Sequence, residues 1–510
     1  MNKDKFYITT PIYYPSADFH IGHCYTTIIA DSIARYKRLQ DYDVFYLTGT
    51  DEHGQKIQKR AEEANVTPQE YVDKIVENSK DLWKSLNISY NRFIRTTDAD
   101  HVECVQKIFK KLYDQGDIYK GEYTGLYCTP CESFWTESQL VDGKCPDCGR
   151  DVSEVSEEAY FFKLSKYQDR LVKYYKDHPD FIEPISRKNE MINNFIKPGL
   201  EDLCVSRTSF DWGIPVPFDD KHVVYVWLDA LSNYISALGY LSNDDSLFKK
   251  YWPCDVHIVG KEIVRFHTII WPIMLMALDL PLPKKVFGHG WLIIDGGKIS
   301  KSLGNYKDPR DYIELYGVDA VRYFVLREVP FGSDGNFSEE ALITRTNGDL
   351  ANVLGNLVNR TIGMANKYFN GSVINKNINE SIDNVLINKA LNLKGIIDSD
   401  IEKLEVSKAL DHLFELFRDC NKYIDETMPW VLAKEEDKQD RLSTVLYNLI
   451  ESIRIGTVLL QAFLPDTANN IFRQINTEYT TYDTLDKFGY YNSEKVGEAK
   501  VLFQRIETKK

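Results

Sequence analysis

Two short stretches carry groups suited to handling phosphate. His20-Ile21-Gly22-His23 puts two imidazoles three residues apart, a spacing that shares one helix face, and each ring can donate a hydrogen bond to a phosphate oxygen. The stretch sits where a strand-like run, Phe6 to Thr10, gives way to a helical pattern, and a helix N-terminus adds unpaired N–H groups and the positive dipole end. Gly22 has no side chain, so a flat base or ribose can approach the backbone. Much later, Gly296-Gly297-Lys298-Ile299-Ser300-Lys301-Ser302 sets two lysines and two hydroxyls on a glycine-rich loop. It is not a Walker A loop, because position 292 is Leu and Ile299 follows Lys298. Lys298 and Lys301 suit another task, neutralising charge that develops on a leaving pyrophosphate. Taken singly, each stretch also reads as ordinary surface: two histidines near a helix start and a solvated lysine loop.

Cys128-x2-Cys131 and Cys145-x2-Cys148, thirteen residues apart, form a four-thiolate pattern. Each pair has knuckle spacing, and Gly149 permits the tight turn after the second pair. Four thiolates close a tetrahedral shell with no open position, so the metal is expected to be structural: zinc first, with iron as the alternative. Cys24, Cys104, Cys204, Cys254 and Cys420 stand singly and read as buried thiols. Nine cysteines is an odd number, and the start, Met1 to Lys5, leads into a strand without an apolar h-region. Both features disfavour secretion and disulfides and lead to the expectation of a cytoplasmic protein.

These groups need a frame. Phe6 to Thr10 reads as a strand, Pro11 to Ala17 as a turn, Ile21 to Leu39 as a helix with Ile21, Tyr25, Ile28, Ile29, Ile33 and Tyr36 on one side, and Val44 to Leu47 as a second strand. A helix is expected from Gln55. Strand–helix–strand order implies parallel pairing with a right-handed crossover. Val223 to Trp227 and Val256 to Val259 read as further buried parallel strands. From 338 onward the periodicity is helical, at 348–368, 386–424 and 440–463, which suggests a separate bundle. The fold class expected is α/β: a doubly wound, Rossmann-type parallel sheet split by a zinc-containing insertion and followed by an all-α bundle. The divisions expected are 1–117 and 221–295 for the halves of the catalytic domain, 118–220 for the insertion, 296–347 for the lysine loop and a stem-contact region, and 348–510 for the bundle. A length of 510 residues suits about three domains. The net charge of −14 argues against a histone-like coat for nucleic acid and leaves room for a local basic groove. The apolar run from Thr268 to Leu278 is short and broken by Pro272, so no membrane span is expected.

The two phosphate stretches, in this order on a split sheet, resemble the signature of class I aminoacyl-tRNA synthetases. Thr9 to Tyr14, Thr48-Gly49-Thr50-Asp51-Glu52-His53-Gly54, Tyr225 to Ala230, Val264-Arg265-Phe266-His267 and Met428-Pro429-Trp430 are similar to the methionyl branch of that class, over almost the whole chain. The resemblance implies that methionine is activated by ATP to methionyl-adenylate and pyrophosphate, then passed to the 3′ end of tRNA(Met), the initiator included. It implies ATP contacts from His20, Gly22, His23, Gly260, Glu262, Lys298, Ser300 and Lys301, with His20, His23, Lys298 and Lys301 stabilising charge. Glu262 stands where the family pattern has Asp. A methionine pocket is implied from Ile12, Tyr14, Asp51, Trp227, Leu231, Tyr234, Ile263 and His267, with Asp51 on the substrate ammonium and Tyr14 and His267 offering hydrogen bonds near the thioether. Asn356, Arg360 and Trp430 are implied as anticodon contacts, although a Trp beside Pro in a bundle is ordinarily core. Zn²⁺ is implied at the four cysteines, Mg²⁺ with ATP, and a monomer, because the stretch after the last strong helical run is short for the dimerising module of longer relatives.

Two rival classes remain open on the sequence. A nucleotidyltransferase with the same His-x-Gly-His core would not need the helical third or the cysteine insertion. A non-enzymatic zinc-containing RNA-binding module would not need Asp51 or the lysine loop. Among synthetases, leucine, isoleucine, valine or cysteine specificity is possible, but an insertion of about 100 residues is small for the editing domain expected of the first three.

Overall fold

The computed structural model describes residues 3–131, 133–135, 137–294, 297–298, 307–329 and 332–507. Ser300 and Lys301 therefore lie outside the described residues, and for Lys298 the backbone alone is described.

Six parallel strands form the central sheet: β1 (Lys5–Tyr13), β2 (Asp43–Thr50), β3 (Arg92–Arg95), β4 (Ile182–Glu183), β5 (Val256–Gly260) and β6 (Val286–His289), in the order β3-β2-β1-β5-β6-β4. Register is tight at the centre, with Ile8 opposite both Tyr46 and Val256, and Val259 opposite Gly288. Helix α1 (Ile21–Leu39) has the expected bounds and crosses from β1 to β2. β1 runs further than the sequence suggests: Pro11 to Tyr13, expected as turn, remain in the sheet after an irregularity between Thr9 and Ile12. Pro11 is tolerated there because the missing N–H falls where the ladder is already broken. The segment 118–220 contributes the edge strand β4 to this sheet. It also holds an antiparallel sheet built on Ile118–Cys128 and Ser153–Phe162.

Val223 to Trp227 is not a buried parallel strand. Asp219–Val224 pairs antiparallel with Pro215–Val216 and Ser206–Arg207, and a helix begins at Val226. A short apolar run with Trp and Val fits either element, and only the antiparallel partners decide it.

The two faces of the sheet bury different cores. One face packs under Ala99–Asp114, 226–238 and the 264–278 segment. The other packs α1 against α2 (Val318–Glu328) and runs without a break into the helical third. That third comprises α3 (Asn356–Phe369), α4 (Ser381–Glu402), α5 (Val406–Thr427), α6 (Gln439–Leu460) and α7 (Pro465–Ile475). The expected single run at 386–424 is two helices, turned at Leu404 with φ +60°. The bundle is thus joined to the sheet through one apolar core rather than standing apart. A buried ion pair marks the junction. Arg322 on α2 donates to Asp31 on α1 (2.8 Å), to the Leu86 carbonyl (3.0 Å) and to the Phe463 carbonyl (2.8 Å), with both charged side chains fully buried.

α6 is buried on every side, from Arg441 to Leu460. Its Glu451 carboxylate pairs with Arg454 (2.7 and 2.8 Å) and accepts the backbone N–H groups of Gly489, Tyr490 and Tyr491. An extended tail thereby straps the bundle.

Candidate active site and metal centre

β2, β1, β5 and β6 are consecutive in the sheet, and their C-terminal ends form the edge at which doubly wound sheets hold their ligand crevice. They present Ile12 and Tyr14, Asp51, Gly260 with Glu262 and Ile263, and His289.

His20 is the N-cap of α1, and its Nδ1 accepts from the Gly22 N–H (3.1 Å). His23 reciprocates: its Nδ1 accepts from the His20 N–H (3.1 Å). The pair makes a capping box from two imidazoles in place of the usual hydroxyl and carboxylate. Because both Nδ1 atoms accept, the proton of each neutral ring sits on Nε2. Both histidines are thereby preset as Nε2–H donors. His23 is held further by stacking on Phe19 (4.7 Å) and an edge contact with Tyr13 (5.2 Å). Gly22 acquires a more specific reason than ligand approach: a Cβ there would lie 2.9 Å from His20 Cε1, so only glycine lets the ring fold over the cap.

Asp51 follows β2 directly and is 8% exposed. Its N–H donates to the Tyr13 carbonyl (2.9 Å), which ties it to the end of β1. The two residues after it are fasteners. Glu52 receives Arg95 through two nitrogens (2.7 and 2.9 Å) together with the Thr50 and Thr97 hydroxyls. His53 Nδ1 meets Asp229 (2.7 Å), and the other oxygen of Asp229 meets His101 Nε2 (2.7 Å). Burial pushes the Asp229 carboxyl up, but His53 and His101 outweigh it and hold the group below the usual range. Asp51-Glu52-His53 is therefore a carboxylate set between two anchors rather than an acidic helix start.

Ile12, Trp227 and Ile263 are partly buried and pack against the core on one face of the sheet, to which the buried Leu231 and Tyr234 belong. Trp227 stacks flat on Phe266 (3.5 Å between centroids, 6° between planes). His267 sits in a π-helical turn, Phe266–Ile270, a geometry frequent at functional sites. Pro272 cannot supply the N–H that an α-helix would aim at the Thr268 carbonyl, and the Tyr175 hydroxyl donates to that carbonyl instead (2.5 Å). His267 Nδ1–H donates to the Ile263 carbonyl (2.9 Å), so its Nε2 accepts the Tyr234 hydroxyl (2.6 Å). Both ring nitrogens are thus engaged within the protein. His267 orients Tyr234, a narrower arrangement than the direct hydrogen bond to a thioether expected from sequence. Burial pushes His267 down to about 4, so it is neutral near pH 7. Behind it, His257 lies between Thr9 Oγ1 (2.7 Å) and Trp271 Nε1 (3.3 Å). Sequence reasoning missed Thr9, Phe19, His257 and Phe266 as site supports. Thr9, at the start of one matched stretch, and Phe266, inside another, were the available signals.

Glu262 accepts from Trp291 Nε1 (2.6 Å), and a Cβ at Gly260 would meet its carboxylate at 2.6 Å. The extra methylene relative to Asp is accommodated by folding the side chain back over Gly260.

The four cysteine sulfurs lie within 4.8 Å of one another, with Cys128–Cys148 at 3.6 Å and Cys131–Cys145 at 3.9 Å. A tetrahedral site with metal–sulfur bonds of about 2.3 Å has sulfur–sulfur edges of about 3.8 Å. A disulfide needs about 2.05 Å, so the cluster fits a metal and not two disulfides. Gly149 turns the knuckle at φ +68°, with its N–H on the Cys145 carbonyl (2.8 Å). A second cluster, Glu158, Asp219 and His222, is already filled by a cation: Lys120 Nζ pairs with Glu158 and Asp219 at 2.7 and 2.8 Å.

At the far end, Asn356 is exposed at the start of α3, and Arg360 reaches Asp425 on α5 (3.2 Å). Trp430 follows α5 and is 41% exposed, so it is not the core residue that its type and its proline neighbour suggest.

Similarity to known proteins extends over almost the whole chain. A family of class I tRNA synthetases (M) matches residues 6–157 and 150–362, and the anticodon binding domain of methionyl tRNA ligase matches 379–510. The chain is 63% identical over 509 residues to the methionine–tRNA ligase of Clostridium acetobutylicum, covering 100% of this chain and 79% of that protein. It is 56% identical over 519 residues to that of Bacillus subtilis, covering 99% and 78%. The chain belongs to the methionyl-tRNA synthetase family. The synthetase superposes on the Mycobacterium tuberculosis methionyl-tRNA synthetase in complex with methionyl-adenylate with a TM-score of 0.94 at 41% identity, covering 98% of this chain and 99% of that one. Against the free-state form the TM-score is 0.88 at 39% identity, covering 100% and 99%. The synthetase is a ligase, and no described helix is long and apolar enough to cross a membrane.

Proposed function

We propose that the crevice activates methionine with ATP and then charges tRNA(Met), with each residue acting as follows. Asp51 pairs with the methionine ammonium, a charge-assisted contact that fixes the carboxylate for attack. Ile12, Leu231, Ile263 and the Trp227–Phe266 stack provide an apolar, polarizable seat for the thioether chain, with Tyr14 at its mouth and Tyr234 oriented by His267. The methionine carboxylate oxygen bonds to the ATP α-phosphorus while the bond to pyrophosphate breaks. Nε2–H donors of His20 and His23 take up charge on the phosphates, and Gly260 with Glu262 holds the ribose. Lys298, Ser300 and Lys301 are assigned to the pyrophosphate side, and magnesium enters with ATP. In the second step the terminal ribose hydroxyl of tRNA attacks the mixed anhydride and AMP leaves. Positioning and electrostatics carry both steps, without a protein nucleophile.

The four cysteines would hold a single zinc, which supplies structural closure of the knuckle and takes no part in bond making. Asn356, Arg360 and Trp430 are assigned to the anticodon, where exposed aromatics stack on splayed bases. The working unit is taken to be a monomer, as the resemblance implies.

The observation that carries the reading is the reciprocal histidine cap beside Asp51: two preset N–H donors and one buried carboxylate at neighbouring strand ends. ATP–pyrophosphate exchange measured across the twenty amino acids tests it, with exchange expected for methionine above all others. Exchange that is independent of amino acid would favour a nucleotidyltransferase instead.

A further inference from the structure

Arg265 belongs to a matched stretch, yet neither the fold nor the chemistry above uses it. It lies between the cysteine knuckle and the crevice. Its guanidinium carbon lies over the Trp135 ring (4.1 Å) and the Phe266 ring (4.5 Å), with Phe195 further off at 5.7 Å, and the side chain reaches Asp147 at 3.5 Å. Asp147 sits between Cys145 and Cys148. Trp135 is 4% exposed and packs in the same small core as Cys128 and Cys145. Phe266 in turn stacks flat on Trp227. The result is one continuous pile: knuckle, Trp135, guanidinium, Phe266, Trp227. The Arg265 side chain is 14% exposed, and its buried Nε has no hydrogen-bond partner among the described residues. A buried guanidinium with an unpaired N–H is an expensive way to fill space. A planar cation in contact with two aromatic rings is instead a means of fixing the orientation of both.

We propose that Arg265 is a positioning residue for methionine recognition, transmitting the folded state of the four-cysteine knuckle to the Trp227 wall through the Trp135–Arg265–Phe266 stack. The proposal rests on the reading of Trp227 as a methionine contact. Arg265 touches no reacting atom in it, so its loss acts on methionine and leaves ATP handling alone.

The test compares Arg265→Leu, Arg265→Lys, Trp135→Leu and Asp147→Asn with the unaltered chain. Four quantities are measured: KM for methionine and for ATP in pyrophosphate exchange, methionine Kd from intrinsic tryptophan fluorescence, metal content, and melting temperature. Arg265→Leu is expected to raise the methionine KM and Kd about tenfold or more, with ATP KM, kcat, metal stoichiometry and melting nearly unchanged. Trp135→Leu, outside the pocket, is expected to move the methionine Kd in the same direction. Arg265→Lys keeps the charge beside Asp147 but not the planar stack, and is expected to recover only part of the affinity. The double variant Arg265→Leu/Trp135→Leu should be no worse than Arg265→Leu alone, since residues in one chain of contacts are not additive. An unchanged methionine Kd in Arg265→Leu overturns the proposal, as does full recovery by Lys. If Arg265→Leu loses metal or melts early, Trp135→Leu and Asp147→Asn decide the matter by the same criterion. Absence of methionine-dependent exchange in the unaltered chain would instead sink the functional reading beneath it.

Discussion

At the residue scale, the double role of His20 makes a separable prediction. Its Nδ1 caps α1, which leaves the proton of the neutral ring on Nε2. Asparagine is as good a cap as any residue but presents no donor at the Nε2 position. His20→Asn should keep the melting temperature and lower pyrophosphate exchange by about 10²–10³-fold, the usual cost of one preorganised donor. His20→Ala should show the same loss plus about 1 kcal/mol of stability. Equal melting losses in both variants would show that Asn does not replace the cap. The buried histidines give a pH prediction. His267, pushed down to about 4 by burial, and His257, pushed down in the same way, are neutral when folded and take up protons near 6.5 when unfolded. Their contribution is complete above about pH 6.5 and is lost as the pH falls toward 4, with about 3 kcal/mol from His267. The carboxylates held low, Asp31 and Asp229, act below that window. Melting followed from pH 7 to 4 should fall, and His267→Leu should flatten the slope. At this scale the cysteine cluster was legible in sequence, because two knuckle pairs are chemistry at fixed spacing, whereas Asp51 was singled out only through the family resemblance. The tautomers were not, since they depend on backbone N–H groups that only the built cap presents. Nor was the engagement of His267, whose partners come from thirty-three residues away and from its own helical turn.

At the element scale, the knuckle and the bundle tip each make a claim. Sulfur spacings near the tetrahedral edge lead to the expectation of one metal per chain by elemental analysis, lost in Cys145→Ser. Preparations that stay metal-free with full activity would contradict it. Trp430 is exposed beyond the end of α5, so Trp430→Ala should leave melting and pyrophosphate exchange intact while weakening tRNA charging, by about the 1–3 kcal/mol of one stacked base. A parallel loss in both steps would place Trp430 in the fold and not on RNA. Sequence periodicity located α1 to the residue because its apolar side, from Ile21 to Tyr36, is read against one sheet. It misplaced Val223 to Trp227 because strand and helix share the same short apolar vocabulary, and the antiparallel partners Pro215–Val216 and Ser206–Arg207 carry no local mark of their pairing.

At the scale of the whole molecule, the sheet and the bundle meet at Asp31 and Arg322, which no sequence pattern links across 291 residues. Removing one member of a buried pair leaves the other charge without compensation, at about 3–5 kcal/mol. Arg322→Met should shift the denaturant midpoint by that amount while the signal changes of sheet and bundle stay coincident, because the apolar core between them is continuous. Two separated transitions would mean that the ion pair, not the core, unites the halves. The strap across α6 bears on synthesis. A ribosome delivers the chain from its N-terminus, and Glu451 emerges well before the Gly489, Tyr490 and Tyr491 amides that share its charge. Until those amides arrive, the buried Glu451 carboxylate has Arg454 as its partner but lacks the three N–H groups that complete its shell. The strap can therefore close only once the growing chain has run thirty-eight to forty residues past Glu451.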